Sequence, residues 1–478
     1  MTEITERLTG DLPLASAEEA ASHVASDATV AMSSLGGGPK EVPPHVVPDG
    51  EEGRLTVLGT ADAGLVADTT LIDDVERRYP FAVWGPVKQA VNEGRMRFVD
   101  AHLSQVREQI QQHYFGNVDT AIVEAVAVGE DWFVPSTVVG ATPTYVREAD
   151  ELILEVNRGE PLAFQRLHDV YVPDHRERIP LDAPGDRIGD PRIRFDPTKL
   201  VAVVETDVEP PSYPFRELTA AEEGIVGRFG DFVQRELDRN PLLEEMVSFE
   251  IGVGSLGDAV TRGLADVDFG GTTPHYYAEV LQDAVLDLLD DDVFRDASAM
   301  SMVLSEDGKQ RILDDVERYA EDVALRPLAV SNDPDLIRRF DVVTVNAAVE
   351  VDLYGNVNSS HVRGSRLLQG VGGSADFSRH GLVSVFVLPS TLDGDDVSRI
   401  VPMASHVDHT EHDVDVVITE QGVADLRGLD PRERAEALIE GCAHPDHRDA
   451  LRRYVERADD EGGHIPHDLD RSFDWRRG

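Results

Sequence analysis

The sequence predicts an α/β protein made of two similar open domains, each with a mainly parallel β-sheet covered by flanking helices. Short apolar segments alternate with segments of helical spacing, which is typical of β-α-β units. A short pattern also recurs once in each half of the chain, as expected for a duplicated domain. With 478 residues, 41 % of them hydrophobic, the chain is long enough to bury the cores of roughly two or three domains.

The first half begins with a predicted helix over residues 16–23, because Ser16 and Glu19 have the spacing of a capping box. Strands are predicted from apolar, β-branched runs at residues 29–32, 55–58, 97–99, 121–128, 151–156 and 201–205. The small-residue loop 33–40 follows the first of these strands, where α/β proteins place ligands. A flexible connection would have the same composition.

The segment 208–215, V-E-P-P-S-Y-P-F, is typical of a stiff linker. We therefore predict an N-terminal domain over residues 1–209 and a C-terminal domain over residues 216–478. In the recurring pattern, A-I-V-E-A-V-A-V leads to a turn at Gly129 and T-V-N-A-A-V-E-V leads to a turn at Gly355. The repeat favours related domains with a site between them, although chance similarity between two hairpins stays open.

Two glycine-rich stretches of the second half could present backbone N–H groups to an anion or an oxyanion. The first, Gly252 to Gly254, joins a strand predicted over 247–251 to a helix predicted over 255–264. The second contains Gly370, Gly372 and Gly373. Either stretch could equally be a tight turn without a ligand.

Glu279 is the carboxylate that we single out first. It stands at the start of a helix predicted over residues 280–289, where apolar residues recur at i, i+1, i+4 and i+5. A capping charge that interacts with the helix dipole is the ordinary role of a carboxylate at that position. The local pattern therefore does not by itself indicate catalysis.

The net charge of -47, from 91 acidic and 44 basic residues, argues against binding to nucleic acid or to an anionic membrane. The acids are spread through foldable segments, which favours adaptation to a high-salt, halophilic cytoplasm. Cys442 is the only cysteine, so no intrachain disulfide and no thiolate metal cluster is expected. Since the sequence has neither a signal-peptide pattern nor an apolar run of about 18 residues, we expect a cytoplasmic, soluble protein.

The segment 405–413, S-H-V-D-H-T-E-H-D, invites comparison with metal sites. His406, His409 and His412 are spaced at i, i+3 and i+6, so a helix would not bring all three to one face, and no zinc-protease motif is met. A hydrogen-bonded polar loop is therefore favoured, and no metal is predicted. Glu420 in T-E-Q-G is a second candidate acid, with strand termination as the alternative.

Several long motifs occur in the order found in one enzyme family. They are P-K-E-V-P, F-V-D-A-H-L-S, A-I-V-E-A-V-A-V, H-D-V-Y-V-P, V-E-V-D-L-Y-G-N-V-N-S-S-H-V-R-G-S-R, G-V-G-G-S-A-D-F, I-V-P-M-A-S-H-V-D-H-T-E-H-D-V and T-E-Q-G-V-A-D-L-R-G. Over nearly its whole length the chain thus resembles the acetyl-CoA hydrolase/transferase family, the class I CoA-transferases that include succinate:acetate CoA-transferases. The resemblance implies two open α/β CoA-transferase domains with the active site at the domain interface, and a homodimer.

The resemblance also implies roles for individual residues. Glu279 in Y-A-E-V-L-Q-D matches the nucleophilic glutamate of the family. The backbone N–H groups of Val253 and Gly373 match its oxyanion hole, with Asn332 of V-S-N-D-P nearby. Coenzyme A, as a substrate, is expected to bind along Gly252, Val253, Gly254, Ser255 and Leu256, and beside Gln369 and Gly373.

Four positions depart from the family pattern. Ser255, Asp258 and Gln369 stand where asparagine is common, and Asp393 stands where a lysine often helps to hold coenzyme A. These departures affect the expected contacts to coenzyme A more than the expected chemistry.

The activity implied by the resemblance is transfer of coenzyme A between acetyl-CoA and a small acid such as succinate or propionate, through a glutamyl-CoA thioester. An acetyl-CoA hydrolase is the nearest alternative, because it requires only that water reach the same intermediate. Two other classes stay open: a metal-dependent hydrolase that uses the three histidines, and a non-catalytic acyl-CoA-binding regulator. The presence of Glu279 argues against the regulator.

Overall fold

The computed structural model describes residues 3–33, 35–46, 54–59, 75–79, 85–174, 176–392 and 397–473. The helices of this part of the chain are α1 Ala17–Ala21, α2 Gly85–Asn92, α3 Val106–Gln111, α4 Thr142–Glu148, α5 Ala220–Arg239, α6 Ser255–Arg262, α7 Asp283–Asp290, α8 Glu306–Asp314, α9 Val316–Asp322, α10 Leu328–Ser331, α11 Pro334–Arg339, α12 Ser374–His380, α13 Pro431–Gly441 and α14 Pro445–Glu461.

The strands up to the middle of the chain are β1 Thr29–Met32, β2 Leu55–Leu58, β3 Val75–Tyr79, β4 Arg97–Phe98, β5 Val118–Val128, β6 Trp132–Pro135, β7 Ala149–Asn157, β8 Ile193–Arg194, β9 Leu200–Thr206, β10 Ser248–Ile251, β11 His275–Tyr277, β12 Val280–Leu281, β13 Ala297–Ala299 and β14 Ser301–Met302. The later strands are β15 Val323–Leu325, β16 Val342–Ala347, β17 Glu350–Asp352, β18 Val357–Asn358, β19 His361–Val362, β20 Arg366–Leu367, β21 Val383–Val387, β22 Thr391–Leu392, β23 Val397–Ser398, β24 Ile400–Val401, β25 Val416–Ile418 and β26 Val423–Asp425.

The chain folds into two compact units, each made of several segments. Unit 1 comprises Met1–Pro214, Tyr276–Leu286 and Arg295–Leu336, and unit 2 comprises Phe215–His275, Asp287–Phe294 and Ile337–Gly478. The chain first passes from unit 1 to unit 2 after Pro214, within the segment 208–215 that was predicted to be a linker. The units differ from the predicted contiguous domains, 1–209 and 216–478, because two later segments return to unit 1, and one of them carries Glu279.

A nine-stranded, mainly parallel sheet forms the centre of unit 1. Its strands follow the order β4-β3-β2-β1-β5-β6-β8, and β7 pairs with both β5 and β9. Every residue of β5 except Asp119 is buried, and α4 packs against this strand while α1 packs against β9. A parallel strand covered on both faces has a continuous apolar sequence, which is why β5 was predictable.

The later segments of unit 1 add short parallel pairs, β11 with β13, β13 with β15, and β12 with β14. Arg326, fully buried, ties these segments to the first one. Its guanidinium forms an ion pair with Asp169 and donates hydrogen bonds to Ser298 Oγ at 2.8 Å and to the Pro184 carbonyl at 2.9 Å. A buried arginine needs this full set of acceptors, because an unpaired buried charge is strongly destabilising.

Unit 2 contains a second mainly parallel sheet, in which β10, β16, β21 and β25 are successive parallel neighbours and β26 pairs antiparallel with β25. Helices α6 and α12 pack against β16, and α5 packs against β25. A three-stranded sheet of β18, β17 and β24 contributes to the same hydrophobic core as α13 and α14. Among the described residues, no helix combines the length and apolar character that crossing a bilayer requires.

The predicted class, α/β with mainly parallel sheets and flanking helices, is confirmed. The capping box of Ser16 and Glu19 is present at α1. The helix predicted over 280–289 begins only at Asp283. Val280 and Leu281 pair instead with β14, because two adjacent apolar residues suit a buried strand as well as a helix.

The recurring hairpin is built differently in the two halves. In the first half, β5 runs unbroken to Val128 and pairs antiparallel with β6. In the second half, β16 ends at Ala347, and the same run continues as β17, which pairs antiparallel with β18 in the three-stranded sheet. The sequence similarity therefore covers a local turn and does not extend to an equivalent place in the main sheet.

Candidate active site

Glu279 lies at the carboxyl end of β11, in the bend between β11 and β12, and its side chain is partly exposed. Hydrogen bonds fix the backbone on both sides of this bend. The N–H of Ala278 donates to the Ser298 carbonyl at 3.0 Å, and the N–H of Met300 donates to the Glu279 carbonyl at 2.9 Å. The position suits a ligand-facing side chain, because sites of open α/β sheets lie at the carboxyl ends of their strands.

Asn332, which is fully buried, follows α10 in the same unit. Its N–H donates to the Leu328 carbonyl at 3.1 Å, and its Oδ1 accepts a hydrogen bond from Ser331 Oγ at 2.8 Å. The hydroxyl of Tyr277, the last residue of β11, donates to the Val330 carbonyl. Unit 1 thus connects the strand that leads to Glu279 directly to the turn that carries Asn332.

The glycine turn, Gly252 to Gly254, connects β10 to α6 in unit 2. The N–H of Gly252 donates to the Val345 carbonyl at 2.9 Å, and Gly254 has a φ of 133°, which favours glycine over any residue with a side chain. Ser255 begins α6, and its hydroxyl accepts a hydrogen bond from the N–H of Arg216 at 3.0 Å. The turn is therefore held from both ends.

The glycine loop, Gln369 to Gly373, precedes α12. Gly372 has a φ of 62°, and Gly373 is the residue that caps α12. At the other end of α12, the N–H of Leu382 donates to the carbonyl of Val342, the first residue of β16. The C-terminal end of α12 therefore lies at the start of β16. Because α12 packs along β16, the N-terminal end of α12 lies towards the carboxyl edge of the sheet, where the glycine turn also lies.

The two N–H groups predicted to form an oxyanion hole belong to Val253, which is exposed, and to Gly373, which is buried. No acceptor in the described part of the chain takes a hydrogen bond from the N–H of Val253 or of Gly373. The side chain of Val253 is 46 % exposed, so this part of the turn faces solvent. Glu279 and Asn332 thus both belong to unit 1, and the predicted oxyanion donors and predicted contacts to coenzyme A belong to unit 2.

The histidine segment, residues 405–413, forms a hydrogen-bonded loop in unit 2. Among the described residues, His361, His406 and Asp408 form the only group whose possible metal-ligand atoms lie mutually within 4.8 Å. Asp408 is also part of the hydrogen-bond network of this loop, since its two carboxylate oxygens lie 2.7 and 2.8 Å from the Ser360 hydroxyl. The segment is therefore a hydrogen-bonded polar loop in the structure, as predicted.

The second candidate acid, Glu420, follows β25 and has a supporting role in the structure. Its carboxylate accepts hydrogen bonds from the N–H of Ser390 at 2.8 Å and from Gln421 Nε2 at 3.0 Å. Burial favours a higher pKa, but a hydrogen bond from the Ser390 hydroxyl, together with those from the Ser390 N–H and Gln421, outweighs it and lowers the pKa of Glu420. Asp393, the position of the missing lysine, lies outside the described residues.

A cluster of buried carboxylates lies beside the loop 33–40 in unit 1, and sequence reasoning missed most of it. Lys40 Nζ lies 2.5 Å from Glu124 Oε1, and Ser136 Oγ lies 2.8 Å from Glu124 Oε2 and 2.7 Å from Glu160 Oε1. Burial, together with the charge of Glu124, raises the pKa of Glu160 to about 8. Nothing in N-R-G-E-P-L, which has the composition of an exposed turn, indicates that Glu160 is buried.

Comparison with known proteins decides the family. Residues 12–205 match the acetyl-CoA hydrolase/transferase N-terminal domain, and residues 308–455 match the C-terminal domain. The chain is 37 % identical to a succinyl-CoA:acetate CoA-transferase of Clostridium kluyveri, over 99 % of this chain and 90 % of that protein. The chain belongs to the acetyl-CoA hydrolase/transferase family.

The protein is therefore an enzyme of this family, acting in transfer of coenzyme A or in hydrolysis of acetyl-CoA. Both names occur among its relatives, since the chain is also 38 % identical to an acetyl-CoA hydrolase of Schizosaccharomyces pombe, over 91 % of this chain and 88 % of that protein. The fold is shared with RipA from Yersinia pestis, with a TM-score of 0.73 at 22 % identity, over 93 % of this chain and 97 % of that chain.

Proposed function

We propose that the protein transfers coenzyme A from acetyl-CoA to a small carboxylic acid, such as succinate or propionate, with Glu279 as the nucleophile. The observation that carries the proposal is a partly exposed carboxylate at the carboxyl end of a parallel strand, with its backbone fixed on both sides. The similarity to a succinyl-CoA:acetate CoA-transferase over nearly the whole chain supports it.

A carboxylate suits this reaction because it conserves the energy of the thioester. A Glu279 oxygen attacks the acetyl carbonyl, the C–S bond breaks, and coenzyme A leaves as the thiolate, so that a mixed anhydride of Glu279 and acetate remains. The thiolate then attacks the glutamyl carbonyl, acetate leaves, and a glutamyl-CoA thioester remains. The acceptor carboxylate reverses these steps and regenerates Glu279, whereas a serine ester would be too low in energy to return the coenzyme A.

Each attack passes through a tetrahedral oxyanion, which needs hydrogen-bond donors that are already in place. The N–H groups of Val253 and Gly373 are our candidates, because they donate to no other group among the described residues. Removing one donor of this kind typically costs about 2.7 to 4 kcal/mol of transition-state stabilisation. Coenzyme A would run along Gly252 to Leu256 and beside Gln369, with Asn332 near the reacting carboxylate.

The first test is covalent trapping. After incubation with acetyl-CoA and rapid acid quench, the wild-type protein should carry coenzyme A on the tryptic peptide 263–295, which contains Glu279. Glu279→Gln should lose the adduct and lower kcat by about 10³-fold or more, because an amide cannot form the anhydride. Asp290→Asn, an exposed position on the same peptide, is the matched control and should keep both. Turnover by Glu279→Gln at a near-normal rate would remove Glu279 from the mechanism.

Acetyl-CoA hydrolysis is the second candidate, because relatives of equal similarity carry that name. The two reactions are separated by following succinyl-CoA and free thiol with and without succinate, in multimolar KCl. A transferase forms succinyl-CoA and releases little thiol, whereas a hydrolase releases thiol at the same rate without an acceptor. We propose that no metal takes part, so EDTA should leave either rate unchanged, and loss of activity with rescue by zinc would contradict this.

A further inference from the structure

The histidine segment is built into unit 2 beside the glycine loop. The N–H groups of Asp408 and His409 donate to the Val357 carbonyl at 2.9 and 3.1 Å, and the N–H of Val357 donates to the His409 carbonyl at 2.8 Å. These bonds attach the segment to β18. The side chain of Asp408 contacts Ser359 and Ser360, and that of His409 contacts Ser359, Ser374 and Ser378.

Asp408 holds the turn formed by Ser359 and Ser360. Its Oδ2 accepts hydrogen bonds from the N–H of Ser359 at 2.7 Å and of Ser360 at 2.9 Å, and its Oδ1 accepts one from the Ser360 hydroxyl at 2.7 Å. Although burial acts to raise the pKa of Asp408, these hydrogen bonds lower it below its ordinary value. Asp408 is therefore an ionised anchor for two successive backbone N–H groups.

The turn of Ser359 and Ser360 is in turn hydrogen-bonded to the start of the glycine loop. The Ser360 carbonyl accepts a hydrogen bond from the N–H of Leu368 at 2.7 Å, and the Ser359 carbonyl accepts one from Gln369 Nε2 at 3.4 Å. Both serines thus bridge Asp408 to the residues at which the loop begins.

His409, which is 1 % exposed, holds the other end of the loop. Its Nε2 lies 3.2 Å from Ser359 Oγ and 3.4 Å from Ser374 Oγ, and its Nδ1 lies 3.3 Å from Ser378 Oγ. The Ser374 hydroxyl donates to the Val371 carbonyl at 2.7 Å, so it can only accept from His409.

The Ser359 hydroxyl is likewise a donor, to Asp408 Oδ2 at 3.2 Å. Since the hydroxyls on the Nε2 side are both committed as donors, Nε2 carries a proton and donates to them. The ring of Phe386 packs on that of His409 with centroids 4.7 Å apart, which restricts rotation of the imidazole. The His409 ring is thus held in one orientation.

We propose that Asp408 and His409 are positioning residues for the glycine loop: Asp408 sets the Gln369 end through Ser359 and Ser360, and His409 sets the Gly373 end through Ser374. This inference rests on the proposed function, in which the Gly373 N–H stabilises the oxyanion. It gives the histidine segment a role in catalysis without a metal. A displacement of about 1 Å at such a donor is enough to lower a rate by up to about 100-fold.

Matched substitutions at His409 distinguish the contribution of Nε2 from that of Nδ1. A glutamine amide reaches the position of Nε2 and can donate to Ser359 and Ser374, whereas an asparagine amide reaches only the position of Nδ1. We expect His409→Asn and His409→Leu to lower kcat by about 10- to 100-fold, and His409→Gln to restore most of it. His412→Asn, on the same segment but 81 % exposed, is the control and should stay within about twofold of wild type.

Asp408→Asn should act on the other end of the loop. It removes the charge that holds two N–H groups, so the dissociation constant of free coenzyme A, measured by calorimetry, should rise more than kcat falls. The His409 variants should instead lower kcat more than they raise this dissociation constant. An identical kcat for His409→Asn and His409→Gln, or full activity of His409→Leu, would overturn the proposal.

Hydrogen exchange gives a readout that is independent of turnover. Amides of peptides covering residues 368–374 should exchange faster in His409→Leu than in wild type or His412→Asn, with an unchanged melting temperature showing that the fold is kept. If wild-type protein forms no adduct on Glu279, the proposed function fails while the exchange comparison still decides whether His409 holds the loop. Equal exchange in His409→Leu and wild type would refute the positioning role.

Discussion

The buried carboxylates of unit 1 predict a pH dependence of stability that a single substitution should remove. Ser136 Oγ is within hydrogen-bond distance of both Glu124 and Glu160, at 2.8 and 2.7 Å, but a hydroxyl has only one proton to donate. A second proton is therefore needed between these groups. Glu160 is the natural carrier, because it is completely buried and its Oε2 has no partner among the described residues.

The size of the effect follows from the shift in pKa. Burial, together with the adjacent charge of Glu124, raises the pKa of Glu160 from 4.5 to about 8. Between these pH values the unfolded chain has released this proton and the folded protein has not, so stability falls as the pH rises. One proton corresponds to about 1.4 kcal/mol per pH unit, and the full window to about 5 kcal/mol, an order-of-magnitude value.

The assay is urea unfolding followed by circular dichroism at pH 5.5, 6.5 and 7.5, in constant high KCl. Glu160→Gln keeps the shape of the side chain but does not titrate. Its free energy of unfolding should fall less steeply with pH than that of wild type, by about 1.4 kcal/mol per unit. Glu436→Gln, an exposed position on α13, is the control and should follow wild type. Parallel curves for Glu160→Gln and wild type would refute the reasoning.

Two further predictions concern stability. Asp169→Ala should cost about 3 to 5 kcal/mol in unfolding experiments because it leaves the fully buried guanidinium of Arg326 unpaired. Asp169→Ala combined with Arg326→Met should recover much of that loss, and a cost below about 1 kcal/mol for the single variant would show that water replaces the ion pair. We also propose that the net charge of -47 adapts the protein to high salt. The melting temperature should rise between 0.1 M and about 3 M KCl, because salt shortens the screening length below about 10 Å and weakens repulsion between the acidic groups. An unchanged melting temperature would contradict this.

Much of the fold and of the candidate site could be predicted from local sequence. Buried parallel strands such as β5 are continuous apolar runs, and the capping box at Ser16 depends only on residues three positions apart. The glycine turn was predicted because Gly252 and Gly254 stand between a strand pattern and a helical pattern, and in the structure Gly254 adopts a φ that few other residues tolerate. Glu279 was found through the motif in which it lies, and its place at the carboxyl end of a strand agrees with a role in binding.

Other features depend on contacts between residues far apart in the chain. The predicted start of the helix after Glu279 was wrong because Val280 and Leu281 pair with β14, and no pattern within the helix reports such pairing. The contiguous domain division differs from the compact units because Arg326 finds its acceptor, Asp169, 157 positions earlier. Neither pairing leaves a local periodic signal.

The sequence by itself determined the α/β class, the candidate nucleophile Glu279 and the two glycine-rich segments. Each of these depends on properties of short windows of sequence: the periods of strands and helices, the positions of glycines and the family motifs. Tertiary structure alone decided that Glu160 is buried beside Glu124, and that His409 lies within hydrogen-bond distance of Ser374. Burial and hydrogen-bond partners are set by which distant segments pack together. The chemistry of a buried carboxyl or imidazole is therefore decided only when the chain has folded.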